Sequence, residues 1–436
     1  MTNDQAFSVV VVGGGAGGLE LACKLGRKWG AARVALLDAN LFHVWKPSLH
    51  EVAAGTLDIH QEGLSYQMLA HDNGFTFVYG AMTGLDTAAH EVVVAAIEDA
   101  GQEVLPERRV RYARLVLAIG SVSNDFGVPG VAQHAFSLDG PHDAERFRLR
   151  MLRLLSLADV SKAHDASAGL DIVIIGGGAT GVELAAELRE ASAVHSRYGL
   201  RQIQAGRDVR IRILEGAPRL LAPLAEDVSD AAARLLRQRD VEVVTDCKVV
   251  GVTASGVTDA AGNTYPADLC VWAAGIKAPP LLAQIGLPTA RAGTVPVDGQ
   301  LRVPGVPDVF ALGDCANCPQ PDGRSVPPRA QSAHQQADYL YRLFRLPEGS
   351  SLDAQPPYLY KDHGSLVSIG TGTTVGSLMG NLFKSTGFFV EGLFARMMYV
   401  SLHLMHHAAV MGTMRTAVLA LARFLVKRAT PLVKLH

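Results

Sequence analysis

Residues Val9–Glu20 read VVVVGGGAGGLE, and residues Ile172–Glu183 read IVIIGGGATGVE. Each stretch is an apolar run, a glycine turn and the opening of a helix. A continuous apolar run of this kind reads as a strand buried in a parallel sheet. In Gly-x-Gly-x-x-Gly after such a strand, the first glycine permits the tight turn and the second lets backbone approach a pyrophosphate. The third lets helix and strand pack closely. The helix N-terminus then offers free N–H groups to phosphate oxygens. One chain carrying this device twice is constrained to an α/β fold with two dinucleotide cradles.

In the first unit the glycines are Gly13, Gly15 and Gly18, with Ala16 and Gly17 between them. Asp38 ends the next apolar run, where a carboxylate can accept from both ribose hydroxyls. The second unit has Gly176, Gly178 and Gly181, with Ala179 and Thr180 between, and its acid is Glu215. A polar stretch near His195–Arg207 fills the longer spacing. A carboxylate at Glu215 would repel a 2′-phosphate, so NADH is expected over NADPH, with Arg212 and Arg219 close enough in sequence to oppose it. Two sites suggest a division of labour. One dinucleotide, FAD, stays as a prosthetic group, and the other, NADH, delivers a hydride and leaves.

The strand–helix alternation runs once, restarts near residue 170, and closes with Arg114–Ile119 and Asp308–Leu312 as further buried strands. Phe75–Val94 alternates apolar and polar residues and suggests antiparallel strands. The expected fold is therefore α/β, with two Rossmann-like dinucleotide-binding domains, the second inserted in the first, and a C-terminal helical membrane-association region. The boundaries predicted are 1–165 with 285–380 for the FAD domain, 166–284 for the NADH domain and 381–436 for the tail. A length of 436 residues suits two or three domains. The net charge of −2 gives no reason to expect nucleic acid. Five scattered cysteines are no disulfide framework and suit a reducing compartment. The N-terminus enters a strand after a few mostly polar residues, so no signal peptide is expected.

Charge is uneven. Beyond residue 380 the chain carries Lys384, Arg396, Arg415, Arg423, Lys427, Arg428 and Lys434 against the single acid Glu391. Met397–Met414 holds no Asp, Glu, Lys or Arg, but its histidines and Ser401 argue against a membrane span. Met414–Arg428 gathers Arg415, Thr416, Arg423 and Lys427 on one side of a helix and apolar residues on the other. Such a basic amphipathic helix is expected to lie on an anionic lipid surface. His403, His406 and His407 share a helix face and are read as interfacial polar residues, with no metal site expected. Cys315-Ala-Asn-Cys318 has redox-motif spacing but no second pair nearby, so packing is the expectation.

Taken together, GGGAGGLE, a strand ending in AIG, GGGATGVELAAEL, WAAGI and ALGDCA resemble the two-dinucleotide-binding flavoprotein reductases over nearly the whole chain. Within that superfamily FHVWKPSLHEVAAG is similar to the PLLYEVA stretch of type II NADH:quinone oxidoreductases. AQSAHQQ at 330–336 and the apolar, basic tail are similar to that family too. The resemblance implies FAD at the first fingerprint and NADH at the second. It implies Gly313 and Asp314 at the flavin ribityl–phosphate region, and cofactor contacts at Lys46, Met82, Ala118, Gly120 and Gly275. It places Glu183 beside nicotinamide and flavin, Gln331 and Gln335 at the quinone end, and Lys46, Pro47 and Lys384 near the flavin or quinone mouth, with Lys384 a possible cation for the reduced species. The spacing of Gln331 and Gln335 sets both amides on one helix face. The expected enzyme oxidises NADH and reduces a membrane quinone without proton pumping. It is expected as a homodimer on the cytoplasmic face of the inner (plasma) membrane. Two alternatives stand beside it: a sulfide:quinone oxidoreductase, which would need cysteines at the flavin, and a nucleotide-binding sensor with little turnover.

Overall fold

The computed structural model describes residues 6–347, 349–370, 374–378, 388–429 and 433. Among them nine helices of six residues or more matter here. They are α1 (Ala16–Trp29), α2 (Leu49–Ala54), α3 (Tyr66–Asn73), α4 (Pro141–Lys162), α5 (Ala179–Tyr198), α6 (Glu226–Arg237), α7 (Ala330–Phe344), α8 (Leu393–Met411) and α9 (Thr413–Ala429).

Two five-stranded parallel sheets form the body. In the first, the order is Val309–Ala311, Leu115–Leu117, Val9–Val12, Val34–Asp38, Thr76–Tyr79. In the second it is Ala135–Phe136, Leu269–Trp272, Leu170–Ile175, Val209–Leu214, Val241–Val244. In each, the strand that precedes the glycine turn is central. Its next strand in sequence lies on one side and a much later strand on the other. That makes a crevice at the strand's carboxyl end, where doubly wound sheets bind ligands. Val9, Val10 and Val11 are completely buried, as are Ile172, Val173 and Ile174. Covering both faces of the sheets is what lets these runs be apolar throughout, and each fully buried side chain contributes on the order of 1.5–3 kcal/mol.

Only part of the expected antiparallel segment is antiparallel. Met82–Asp86, Glu91–Val94 and Arg108–Arg111 form such a sheet, but Thr76–Tyr79 pairs in parallel with Ala35–Asp38. Alternation reports which faces are buried, not the direction of the neighbour, so it could not separate the two. The bodies meet through Val122–Ser123, which pairs antiparallel with Ile276–Lys277. There Asn124 N–H donates to Gly275 O at 2.9 Å and Trp272 Nε1 donates to Asn124 O at 2.7 Å.

The apolar stretch of the tail breaks at Gly412, with φ +86°, into the hairpin α8–α9. No helix among the described residues is long and apolar enough to cross a membrane. The hairpin packs its histidine side inward. His406 and His407 are 3 % exposed, which corrects their reading as interfacial residues. On the polar side of α9, Thr416 is buried and Arg423 pairs with Glu62, while the exposed Arg415 pairs with Asp72. Acids supplied by distant parts of the chain neutralise these two arginines, so the apolar side faces out instead.

Candidate functional site

The first cradle is built from Gly13 to Asp38. Gly13 sits at φ +101°, and a Cβ there would run into the Ala118 carbonyl. A Cβ at Gly18 would strike Gly13 O, and one at Gly17 would press on Ala333 O at 2.7 Å. Gly15 caps α1, and, its chain neighbours apart, a Cβ there would meet no atom of the described residues within 4 Å. That open space in front of the helix N-terminus fits a pyrophosphate. Asp38 is held by Gly14 N–H on Oδ2 at 2.7 Å and by Asn40 N–H on Oδ1 at 2.8 Å. Ala16 opens α1, Ala118 is buried at the end of its strand, and Gly120 turns at φ +69°.

The second cradle repeats this geometry. Gly176 is at φ +111° against Ala273 O, a Cβ at Gly181 would strike Gly176 O, and Gly178 faces open space as the cap of α5. Ala179 and Thr180 form the first turn of α5. Glu215 accepts from Gly177 N–H, as Asp38 does from Gly14, and from Ala217 N–H at 2.6 Å. Arg212 donates to Glu242 at 2.8 Å, and Arg219 Nη2 donates to the carbonyls of Ala222 and Leu224. Arg212 is thus committed away from a 2′-phosphate, whereas Arg219 keeps its Nη1 without a hydrogen-bond partner among the described residues. Gly275 lies at φ +153° with the Phe126 ring against it.

Two groups of polar contacts stand beside the cradles, one around Asp314 and one around Glu183. Lys46, next to Pro47, donates to Ser121 O at 2.6 Å, and Ser121 Oγ donates to Asp314 Oδ2 at 2.8 Å. Gly313 N–H donates to Gln336 Oε1 at 2.7 Å. Met82 is buried in the first core. On α5, Glu183 Oε1 accepts from Ser368 N–H at 3.0 Å and Oε2 lies 3.5 Å from His50 Nδ1. Burial raises the Glu183 carboxyl above its ordinary value. Glu187, one turn on, is pushed up to about 7 by burial and by the nearby Glu51 carboxylate, and accepts from Thr56 Oγ at 2.9 Å. Neutral carboxyls are the favoured form where water is excluded.

Gln331 and Gln335 do share one face of α7, but their amides converge on main chain. Gln331 Nε2 donates to Gly364 O at 2.9 Å, and Gln335 both donates to Lys361 O at 2.8 Å and accepts from Lys361 N–H at 3.0 Å. They fasten the segment 361–364 to the helix. Lys384 lies outside the described residues. Cys315 and Cys318 are buried free thiols, pushed up to about 12 and about 11 by burial. Cys315 Sγ is within 3.3 Å of Leu312 O, so these thiols pack and donate rather than act as nucleophiles.

Ser121 and Gln336, which hold the Gly313–Asp314 turn, have roles that the sequence did not single out, as do Tyr66 and His43, which both donate to Gly14 O at 2.8 Å, although Gln336 ends AQSAHQQ and His43 lies in FHVWKPSLHEVAAG. Gln336 carried one signal, a glutamine on the buried side of an amphipathic helix, where a polar group needs a partner.

A family model described as pyridine nucleotide-disulphide oxidoreductase matches residues 7–337. The chain is 36 % identical to the type II NADH:quinone oxidoreductase of Haemophilus influenzae, over 98 % of this chain and 100 % of that protein. Among solved structures it is similar to NDH2 from Plasmodium falciparum in complex with NADH, at a TM-score of 0.80 and 18 % identity, covering 98 % of this chain and 99 % of that one. The sulfide:quinone oxidoreductase of Aquifex aeolicus shares the fold at a TM-score of 0.69 and 17 % identity, covering 93 % and 92 %.

Proposed function

Since the chain belongs to the type II NADH:quinone oxidoreductases, within the pyridine nucleotide-disulphide oxidoreductase family, we propose that it passes electrons from NADH to a membrane quinone by way of its two cradles, without pumping protons. The observation that carries this reading is the presence of two complete glycine cradles, each with its acid locked onto the loop. FAD belongs in the first cradle, held by Gly13–Gly18, Asp38 and the Ser121–Asp314 pair, within a domain of residues 1–165 and 285–380. NADH belongs in the second, held by Gly176–Gly181 and Glu215, within residues 166–284. Bound in the first cradle, FAD supplies the redox chemistry, accepting a hydride and returning two electrons.

The protein's own residues position and hold protons. Overall, NADH, one proton and quinone give NAD⁺ and quinol, so one proton is drawn from solution per turnover. Glu183 and Glu187, whose neutral forms burial favours, stand on α5 and are placed to handle it. Gln331 and Gln335 form the quinone end by holding the wall at 361–364. No cysteine is poised to carry sulfur, which disfavours sulfide as the donor. The tail from residue 381 docks the enzyme on the cytoplasmic side of the inner (plasma) membrane, with the homodimer part of the same proposal.

Stopped-flow absorbance of the flavin tests the assignment. Gln331→Leu or Gln335→Leu should spare reduction by NADH and slow reoxidation by quinone about tenfold or more, because a displaced acceptor costs rate steeply. Slowed reduction with intact reoxidation would put the quinone elsewhere, and a protein without releasable flavin would end the whole reading.

A further inference from the structure

A line of buried polar groups joins the C-terminal hairpin to the first cradle. Gly14 O accepts from His43 Nδ1 at 2.8 Å, and His43 Nε2 lies 2.9 Å from His406 Nε2. His406 Nδ1 lies 2.8 Å from Glu20 Oε1, and Glu20 Oε2 bonds His334 Nδ1. His334 Nε2 reaches Asp338 at 3.6 Å, where the line meets the surface. His43, His406 and Glu20 are 3 %, 3 % and 1 % exposed.

Donor and acceptor counting fixes how many protons this line holds. A carbonyl only accepts, so His43 Nδ1 must carry hydrogen. The two Nε2 atoms face each other, so one must carry hydrogen and the other a lone pair. A carboxylate only accepts, so His406 Nδ1 must carry hydrogen opposite Glu20. Burial alone would raise the Glu20 carboxyl, but the hydrogen bonds from His334 and His406 outweigh it and hold it at about 2. The two rings and the carboxylate therefore share one proton beyond two neutral imidazoles. With a second extra proton, N–H would face N–H across 2.9 Å. With none, lone pair would face lone pair.

We propose that His43, His406 and Glu20 form a one-proton latch that positions the Gly14 carbonyl of the FAD loop and fastens α8 to it. His406 acts through His43 and is a positioning residue. The surroundings leave the latch to hold its own charge. On α8, burial and the neighbouring His403 and His406 push His407 down to about 3, so it is neutral. On the loop, Trp45 lies tilted against His406 with ring centres 4.4 Å apart. On α3, Tyr66 shares Gly14 O, and burial and the Asp38 carboxylate keep its hydroxyl protonated. On α1, Lys24 lies 3.5 Å from Glu20 and also pairs with Asp338, and the Cys23 thiol is pushed up to about 12 by burial. On α7, the Glu20 hydrogen bond raises the His334 imidazole above its ordinary value, and its partly exposed ring makes it the port for protons from solvent.

The latch rests on FAD occupying the first cradle, and its test reads protein and cofactor separately. In the full-length flavoprotein, FAD release is followed by fluorescence, and hydrogen exchange of residues 403–411 is followed in parallel, from neutral pH down through the acid range, because burial and the neighbouring His406 hold the His43 imidazole well below its ordinary value. Histidine ¹⁵N shifts report which ring nitrogens carry protons. At neutral pH one imidazolium is expected in the His43–His406 pair. On acidification, FAD release should quicken with the same midpoint at which 403–411 lose protection. His406→Leu should release FAD about tenfold faster, as expected for loss of a charge-assisted hydrogen bond, and should show no acid inflection. Glu20→Gln keeps the latch by a different count, because its amide can donate to a neutral His406 whose Nε2–H still reaches His43. Release should then stay slow while the imidazolium signal disappears. Two neutral rings in the wild type, or an unchanged acid profile in His406→Leu, would overturn the latch. If His406→Leu does not fold, the wild-type ¹⁵N spectrum and the Glu20→Gln comparison still decide. Absence of releasable flavin would strike the cofactor assignment alone, leaving exchange and ¹⁵N to judge the latch.

Discussion

At the scale of single residues, Gly15 and Gly178 are informative because nothing in the protein needs them to lack a side chain. Both have ordinary negative φ, and a Cβ at either meets open space. Gly15→Ala should therefore fold normally, with a change in stability within about 0.5 kcal/mol, yet lose most of its flavin. Gly178→Ala should keep its flavin and raise KM for NADH about tenfold, the factor that loss of about 1.4 kcal/mol of binding gives. Flavin absorbance per protein and steady-state kinetics check both. Flavin loss from Gly178→Ala alone would exchange the two assignments. Asp38 and Glu215 were legible because strand ends and glycine turns repeat at readable spacings. The partnership of His43 with His406 was not, since it spans 363 residues and no spacing within FHVWKPSLHEVAAG or the histidine trio reports on the other segment.

At the scale of elements, α9 shows what a helical wheel gives and withholds. The apolar row Met414, Val418, Leu421 and Leu425 recurs at i, i+4, i+7 and i+11, and these residues are 78 %, 61 %, 61 % and 58 % exposed. The amphipathic pattern was readable. The outward face was not, because Asp72 and Glu62, which neutralise Arg415 and Arg423, come from distant segments. Membrane attachment should therefore be mainly hydrophobic. Each apolar side chain can contribute up to about 1.5–3 kcal/mol on burial. Replacing all four with serine should abolish sedimentation with liposomes and leave turnover with a water-soluble quinone intact. The wild type should stay bound when ionic strength is raised about tenfold, although ~10 Å screening at 0.1 M already weakens exposed charge attraction. Salt-stripping of the wild type would restore a basic, lipid-facing helix. The same limit blurred Thr76–Tyr79, whose parallel partner is fixed by the sheet and not by its own alternation.

At the scale of the whole molecule, the buried carboxyls of α5 link stability to pH. The Glu187 carboxyl sits at about 7 in the fold against an ordinary value near 4.5, so the folded protein binds the proton more tightly than the unfolded chain. Stability from this group is full below about 4.5 and is lost as pH rises through about 7, to an upper bound of about 3 kcal/mol. Glu187→Gln should flatten that decline and be the more stable protein at about pH 8, as read from urea midpoints at acid and alkaline pH. An unchanged slope would remove Glu187 from the protein's proton balance. Both parallel sheets were legible as strand–turn–helix units, but the order of their outer strands was not, and that order has a further consequence. Every strand of the second sheet lies between residues 135 and 272, whereas the first needs Val309–Ala311 at its edge and His406 behind its loop. The cradle of Gly13–Gly18 is thus completed after the inserted one during synthesis. A nascent chain on the ribosome holds all of its inserted sheet while the N-terminal glycine loop is still unbacked. Closure of the first cradle therefore waits until α8 has emerged, long after the inserted sheet is complete.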